Sequence, residues 1–238
     1  MIRVSASAFD ILWHDGGYPA VPPPLEVRSV GATEAERAEI RRAVHANLAE
    51  RGLSGAGALD PALESRLATL ATAEIYVECV ALPELTAEMP LRAVAAAGSR
   101  RGVLAVQPSR TIGLSGIRDT EVYAAVADLL PPLGPGPGHG VSLPVDVLTG
   151  SGGGSRAAAR QLDEVRAVQS RPVLGAGQFA VRVREGGRVR RVGGMSWFAT
   201  DLGAYLGVVE PGRRGANWVT VVPADPARIA ARLAELAG

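Results

Sequence analysis

The chain has 238 residues, a formal net charge of +1 and 47% apolar residues. That length allows one large domain or two small ones, and the near-zero charge provides no overall field to attract nucleic acid or an acidic membrane. Cys79 is the single cysteine, which excludes an internal disulfide and a multi-cysteine metal site. The sequence contains no lysine. Walker A loops, protein kinases and pyridoxal-phosphate enzymes are therefore excluded in their standard forms, because each needs one.

The start of the chain does not resemble a targeting segment. Residues 1–15 carry Arg3 and Asp10 and lack the apolar stretch of a signal peptide. The long uncharged run over 129–145 is broken by proline and glycine, so no membrane-spanning helix is predicted. We expect a cytoplasmic protein that does not act on a membrane.

The first third of the chain is predicted to be mainly helical. A helix begins near residues 7–10, and the alternation over 25–28 indicates a short strand. Thr33 and Glu36 have the spacing of a capping box, in which each side chain bonds to backbone N–H groups at a helix start. Asp60 and Pro61 predict another helix start. The leucines that follow share one face of that helix: Leu63, Leu67 and Leu70.

The apolar period then changes from 3.6 residues to two. Ile75, Val77, Cys79 and Ala81 lie on one face of a predicted strand, and the residues between them lie on the other face. Further strands are predicted over 91–97, 102–106 and 111–117. A helix follows from Asp119 to the prolines at 131 and 132.

Glycine and proline divide the second half of the chain. Residues 134–140 (GPGPGHG) are the best candidate for an internal boundary, and residues 150–155 (GSGGGS) are expected to form a flexible loop. A helix is predicted over 155–170, and Asp225 with Pro226 begins the last helix. The remaining strands are predicted over 177–184, 188–198, 204–209 and 218–222.

Both halves thus place several strands before a closing helix, and short turns between consecutive strands favour antiparallel pairing. The sequence predicts an α+β protein with a central antiparallel β-sheet, flanking helices and a pseudo-two-fold arrangement of two halves. We expect the halves to be residues 1–133 and 134–238, joined as one continuous domain that shares the sheet.

The residue types that usually carry catalysis do not form a recognisable motif. His14, His45 and His139 are far apart and share no pattern, so no metal site is expected. Residues 113–117 (GLSGI) depart from a nucleophile elbow, which needs glycine at the last position. Cys79 is expected to be a small buried residue. We expect no catalytic residue and no cofactor.

Two segments leave a binding function open. The helix start after residues 150–155 could hold a phosphate, but no apolar strand leads directly into that loop, which favours a solvated linker. The predicted hairpin near the C-terminus carries five arginines: Arg182, Arg184, Arg188, Arg190 and Arg191. They form either a solvated face or a surface for an acidic protein or a helix C-terminus. Only Phe179 could stack with a base there, so nucleic acid is not the expected partner.

Several segments, taken in order, resemble the EspG proteins of actinobacterial type VII (ESX) secretion. The most specific stretch is residues 177–179 (GQF), the arginines after it, and residues 197–205 (WFATDLGAY). The other matching segments are 23–27 (PPLEV), 31–37 (GATEAER), 129–138 (LLPPLGPGPG), 218–221 (WVTV) and 223–225 (PAD). The resemblance spans almost the whole chain, and its specificity comes from the order and spacing of the segments.

The resemblance implies a cytoplasmic chaperone without a reaction or cofactor. EspG proteins bind PE–PPE-type heterodimers at the tip of the PPE helices, keep them soluble and support their delivery to the secretion apparatus. Where PE and PPE proteins are scarce, the partner would be another helical secretion substrate. The family fold has a central antiparallel sheet and two helical bundles in a quasi-two-fold arrangement, which agrees with the pattern above.

The resemblance also implies where the partner binds. In the family, the loop between two early sheet strands and the C-terminal helical bundle face the partner. Here that loop is residues 83–90, although an ordinary connection would explain it equally well. The predicted partner-binding residues are the apolar anchors Leu85 and Met89, the rim residues Glu84 and Glu88, and Arg182 and Arg184 of the hairpin. Trp197, Asp201 and Tyr205 are expected to have core or turn roles.

The alternative hypothesis is an enzyme or ligand-binding protein that acts on an anionic small molecule through the arginine-rich hairpin. Such an enzyme would gather Arg182, Arg190 and Asp201 in a concave pocket with a perturbed titratable group.

Overall fold

Helices and strands alternate in the same order in both halves of the chain. We describe residues 1–148, 156–212 and 217–238 from a computed structural model. The first half contains β1 (Ile2–Ser5), α1 (Ala6–Asp15), α2 (Glu34–Glu50), the short strands β2 (Ser54–Gly55) and β3 (Ala58–Leu59), α3 (Pro61–Thr72), β4 (Ile75–Leu82), β5 (Leu91–Gly98), β6 (Arg101–Gln107), β7 (Thr111–Ile117) and α4 (Val122–Ala127).

The second half repeats the scheme of an edge strand, helices, four strands and a closing helix. It contains β8 (Val141–Pro144), α5 (Val145–Leu148), α6 (Arg156–Gln169), β9 (Val173–Glu185), β10 (Arg188–Thr200), β11 (Gly203–Pro211), β12 (Asn217–Pro223) and α7 (Pro226–Ala237).

Ten of these strands form one antiparallel sheet in the order β1-β7-β6-β5-β4-β9-β10-β11-β12-β8. The order reads the same from either edge once β4 is matched with β9, β5 with β10, β6 with β11, β7 with β12 and β1 with β8. The β4–β9 pair therefore lies at the centre of a pseudo-two-fold arrangement. This confirms the predicted α+β fold with a central antiparallel sheet and flanking helices.

The predicted helix starts are confirmed by their hydrogen bonds. Thr33 Oγ1 accepts from Glu36 N at 3.2 Å, and Asp60 Oδ1 accepts from Leu63 N at 2.9 Å. The last helix begins in the same way, because Asp225 Oδ1 accepts from Arg228 N at 2.8 Å. A short polar side chain thus satisfies an otherwise unpaired backbone N–H at each start.

Several elements differ from the predictions. Residues 25–28 form no strand, because the Gln107 side chain supplies the bonds that a neighbouring strand would give: its Oε1 accepts from Glu26 N and its Nε2 donates to Glu26 O, both at 2.8 Å. The edge strands β1 and β8 were not predicted, since four residues are too few to show alternation. The helix predicted after Asp119 starts with one 3₁₀ turn and ends at Ala127.

The core has separate parts on the two faces of the sheet. On face A, α4 and α7 pack against each other and against the central strands, where they bury Val77, Phe179, Met195 and Trp197. On face B, α1 to α3 cover the first-half strands around Val94, Ile112 and Leu114. A smaller cluster joins α6 to β8 at the other end of face B: Val141, Leu143 and Val165.

The glycine- and proline-rich segment between the halves is bonded to the sheet. Gly136 N donates to Ala204 O at 3.0 Å, and Ala204 N donates to Gly134 O at 2.9 Å. Gly203 permits this approach: its φ is +129°, and a Cβ there would lie 2.7 Å from Gly136 N. The loop predicted over 150–155 lies outside the described residues. Within the described ranges, no helix is long and apolar enough to cross a membrane.

Candidate functional site

Among the residues that the structure describes, no helix covers the centre of face B, unlike the centre of face A. The helices of the first half cover one end of face B, and α5 and α6 cover the other end. Between them lies a set of side chains and a glycine that we call the open patch: Val80, Gln178, Ser196, Gly207 and Val209. Val80, Gln178, Ser196 and Val209 are exposed, and Val209 retains 62% of its surface.

Strand register brings the open patch together. Val80 pairs with Gln178, Gln178 with Ser196, and Ser196 with Gly207, which forms one row across β4, β9, β10 and β11. Strands lie about 4.8 Å apart, so the row is about 15 Å long. A groove of about 460 Å³ lies over its second-half part, lined by Gln178, Ser196, Gly207 and Val209. A shallow surface of this size with mixed polar and apolar groups suits a protein partner.

The loop over residues 83–90 lies at one end of this face, between β4 and β5. Leu85 N donates to Leu174 O at 2.9 Å, which fixes the loop to the start of β9. The attachment needs glycine at position 175, because a Cβ there would lie 2.3 Å from Pro83 O. The loop therefore has a defined position relative to the open patch.

The predicted apolar anchors of this loop are exposed, and so are their neighbours. Leu85 and Met89 each keep about half of their surface exposed. Val173 and Leu174 at the start of β9 and Leu202 in the β10–β11 turn are also exposed. Glu84 and Glu88 are exposed on the same loop. Exposed apolar residues that cluster in this way are typical of interaction surfaces.

Arg182 and Arg184 lie at the opposite end of β9, six or more residues and roughly 20 Å from the loop. Arg182 Nε donates to Glu78 Oε1 at 2.5 Å. Arg184 donates to Ala71 O and Ala73 O, at the end of α3, at 3.0 and 2.9 Å. Of the six predicted partner-binding residues, the fold brings the four loop residues together and keeps the two arginines apart from them.

Glu78 and Cys79 are adjacent in β4 but point to opposite faces of the sheet. Burial raises the pKa of the Glu78 carboxyl above its usual value, and the nearby guanidinium groups of Arg182 and Arg191 oppose that shift only in part. Burial in the face A core raises the pKa of the Cys79 thiol to about 12. Cys79 is therefore a protonated core residue at neutral pH, as predicted, and not an activated nucleophile.

The residues of the hypothetical anion-processing enzyme are not gathered. Arg190 forms an exposed ion pair with Glu185 at 2.8 Å near the hairpin tip, away from Arg182. Asp201 lies near the opposite end of the sheet, where its ion pair with Arg171 holds the pKa of the Asp201 carboxyl below its usual value. The pocket that the alternative enzyme hypothesis requires is therefore not formed by these three residues, because Asp201 lies in the turn after β10, at the other end of that strand from Arg190.

The core and turn roles expected for Trp197, Asp201 and Tyr205 are confirmed. Trp197 is buried on face A. Tyr205 stacks on Phe198 with ring centroids 5.4 Å apart, and its hydroxyl donates to Pro137 O at 3.1 Å. Among the described residues, no three histidine, cysteine or acidic side chains cluster closely enough to hold a metal ion.

Sequence reasoning did not single out the open patch or the apolar residues beside the loop. Alternation in β4 did place Val80 on the face opposite Cys79, which is the signal that could have found it. Val209 shows the same alternation in β11, but which face of a sheet lacks helices depends on the packing of distant elements. Val173, Leu174 and Leu202 lie at strand ends, where alternation is short.

A protein-family model described as the EspG family matches residues 5–235. The chain belongs to the EspG family. The match includes both halves, the open patch and the loop over residues 83–90.

Solved structures show the same architecture. The chain is similar to the type VII secretion system chaperone EspG5 of Mycobacterium tuberculosis, whose structure was determined in complex with a PE25–PPE41 dimer. The two chains share 16% sequence identity and a TM-score of 0.75, and the alignment covers 99% of this chain and 95% of that chain. At this identity the likeness establishes the fold. Curated protein sequences include no significant match to this chain.

Proposed function

We propose that this protein is a cytoplasmic chaperone of type VII secretion. It binds PE–PPE-type heterodimers, keeps them soluble and supports their delivery to the secretion apparatus. The observation that carries the proposal is the EspG family match over residues 5–235, which includes the open patch and the loop over residues 83–90. The structural relative EspG5, itself seen with a PE25–PPE41 dimer, supports it.

The open patch and the loop over residues 83–90 are the proposed partner surface. A secreted helical pair exposes an apolar tip that would otherwise self-associate. The patch offers a preformed floor, and the loop offers Leu85 and Met89 as anchors with Glu84 and Glu88 at the rim. Binding by such a surface requires shape and apolar contact and no nucleophile. We therefore propose that the protein acts by binding rather than by catalysis.

Partner contact by Arg182 and Arg184 stays a prediction. Both guanidinium groups are engaged within the chain, Arg182 with Glu78 and Arg184 with the end of α3. Contact with a partner would use the N–H groups that these bonds leave available.

Co-expression tests the proposal. The full chain is produced with each PE–PPE-type pair of its own genome and, in a parallel arm, with other small helical secretion substrates. We expect one PE–PPE-type pair to copurify and to elute with the chaperone as a single species in gel filtration. If only another helical substrate copurified, the partner would belong to that class of substrate and not to the PE–PPE-type pairs. The absence of a complex with every substrate would contradict the chaperone proposal.

A further inference from the structure

A cleft of about 310 Å³ lies beside the open patch, between the proline-rich residues 19–23 and strands β4, β9 and β10. Its volume is within the range of small-molecule sites. Most of its wall is apolar and includes Val21, Pro22 and Val189. Its polar groups come from neighbouring strands: Tyr76, Glu78, Arg182 and Arg184.

The cleft contains an ion pair in which Glu78 is buried, whereas the Arg182 side chain keeps 32% of its surface exposed. Glu78 keeps only 7% of its surface exposed while it accepts the bond from Arg182 Nε. Burying a carboxylate costs free energy that one ion pair returns only in part, so this pair is weak evidence for a role in stability alone. Charged groups retained at the wall of a cavity are therefore candidates for ligand binding.

The charges in the cleft do not balance. Glu78 is the single carboxylate among the lining residues, and it faces two guanidinium groups. Arg184 does not offset the difference, because the bonds of its Nε and Nη2 go to neutral acceptors: Ala71 O, Ala73 O and the Tyr76 hydroxyl. Among the described residues, both terminal nitrogens of Arg182 and Nη1 of Arg184 have no hydrogen-bond partner. The lining residues therefore carry one more positive than negative charge.

We propose that this cleft binds a small monocarboxylate with an apolar body, supplied either as a free acid or as the C-terminal residue of a peptide. The carboxylate accepts hydrogen bonds from the available N–H groups of Arg182 and Arg184, which are charge-assisted and strong. The apolar body lies against Val21, Pro22 and Val189. This site lies outside the open patch and the loop over residues 83–90 and does not depend on them; it shares only Arg182 and Arg184 with the predicted partner-binding residues.

Calorimetry on the full chain tests the site with three probes: N-acetyl-phenylalanine, its amide, and 3-phenylpropionate. We expect the acetylated acid to bind and the amide to bind at least about tenfold more weakly, because the amide carries no charge to pair with the guanidinium groups. Binding of 3-phenylpropionate as well would identify a free acid as sufficient, whereas its failure would identify a peptide C-terminus. Equal binding of acid and amide, or no binding of either acid at millimolar concentration, would overturn the proposal.

Substitutions distinguish binding in this cleft from nonspecific attraction of an anion to the basic hairpin. Arg182→Gln should weaken the acid by about tenfold or more, and Val189→Trp should abolish binding by filling the cleft while leaving its charges in place. Glu78→Gln should tighten binding several-fold, because it frees Arg182. Arg188→Gln is the matched control, since Arg188 is exposed on the same hairpin and does not line the cleft. An equal loss in Arg188→Gln and Arg182→Gln, with unfolding transitions unchanged, would show attraction to the hairpin in general and refute the site.

Discussion

The two faces of the central strands differ although they share the same backbone. On face A, Phe179 and Trp197 are buried beneath α4 and α7. On face B, their sequence neighbours Gln178 and Ser196 are exposed, and Val209 of the next strand keeps 62% of its surface exposed. Helices of the chain cover face A, whereas no helix among the described residues covers the centre of face B.

This contrast shows how one sheet can provide both stability and recognition. A strand points successive side chains to opposite faces, so neighbouring residues can serve separate purposes. The large aromatic residues lie where helices cover them, and small or polar residues form the open patch. Changes on face A should therefore affect folding, and changes on face B should affect binding.

The largest effect is expected when the halves are separated. We propose that residues 1–133 and 134–238 form one cooperative unit, because separation breaks the β4–β9 pair and parts α4 from α7 in the face A core. Each half expressed alone should lack a cooperative unfolding transition in urea monitored by circular dichroism. A cooperative transition in either isolated half would show that it is an independent domain.

A large effect is also expected for truncation on face A. Trp197→Ala should lower the free energy of unfolding by about 3–5 kcal/mol, because it removes a large buried side chain and leaves a cavity. Val209→Ala, on face B of the next strand, should change it by no more than about 0.5 kcal/mol. Urea unfolding of both variants checks the contrast, and similar losses in the two would mean that the faces do not differ in this way.

The smallest effect is expected from the titration of Glu78. Burial raises its pKa in the folded protein above the usual value of 4.5. Between pH 4.5 and the raised pKa, the folded state therefore binds more protons than the unfolded state. The contribution of Glu78 to the free energy of unfolding therefore falls as the pH rises from 4.5 through the raised pKa. The free energy of unfolding of the wild type, relative to Glu78→Gln, should decrease slightly from pH 4.5 toward neutral pH. A difference that stays flat or increases would contradict the raised pKa.

Local signals in the sequence were sufficient for most of the fold. The caps at Thr33, Asp60 and Asp225 and the alternation from Ile75 to Ala81 act within a few residues, and each predicted its element. The short strands at the sheet edges escaped prediction because they depend on pairing with distant strands. Residues 25–28 were misassigned for the same reason, since their backbone bonds go to the side chain of Gln107.

The candidate site was less predictable than the fold. The loop over residues 83–90 was located through the family resemblance, and its exposed anchors fit that placement. The open patch depends on which part of face B the two groups of helices leave uncovered, and no local pattern reports that. The cleft beside Glu78 likewise depends on how the proline-rich residues 19–23 lie over β4 and β9.

The most direct test of the account compares matched glutamate substitutions on the two faces. Val209→Glu places a charge in the open patch, whereas Trp218→Glu places one at an exposed position on face A. With a PE–PPE-type pair that binds the wild type, we predict that Val209→Glu weakens the affinity at least about tenfold, because it puts an unpaired charge into the interface. Trp218→Glu should bind as the wild type does. Undiminished binding by Val209→Glu, or an equal loss in both variants, would contradict the claim that the open patch is part of the partner surface.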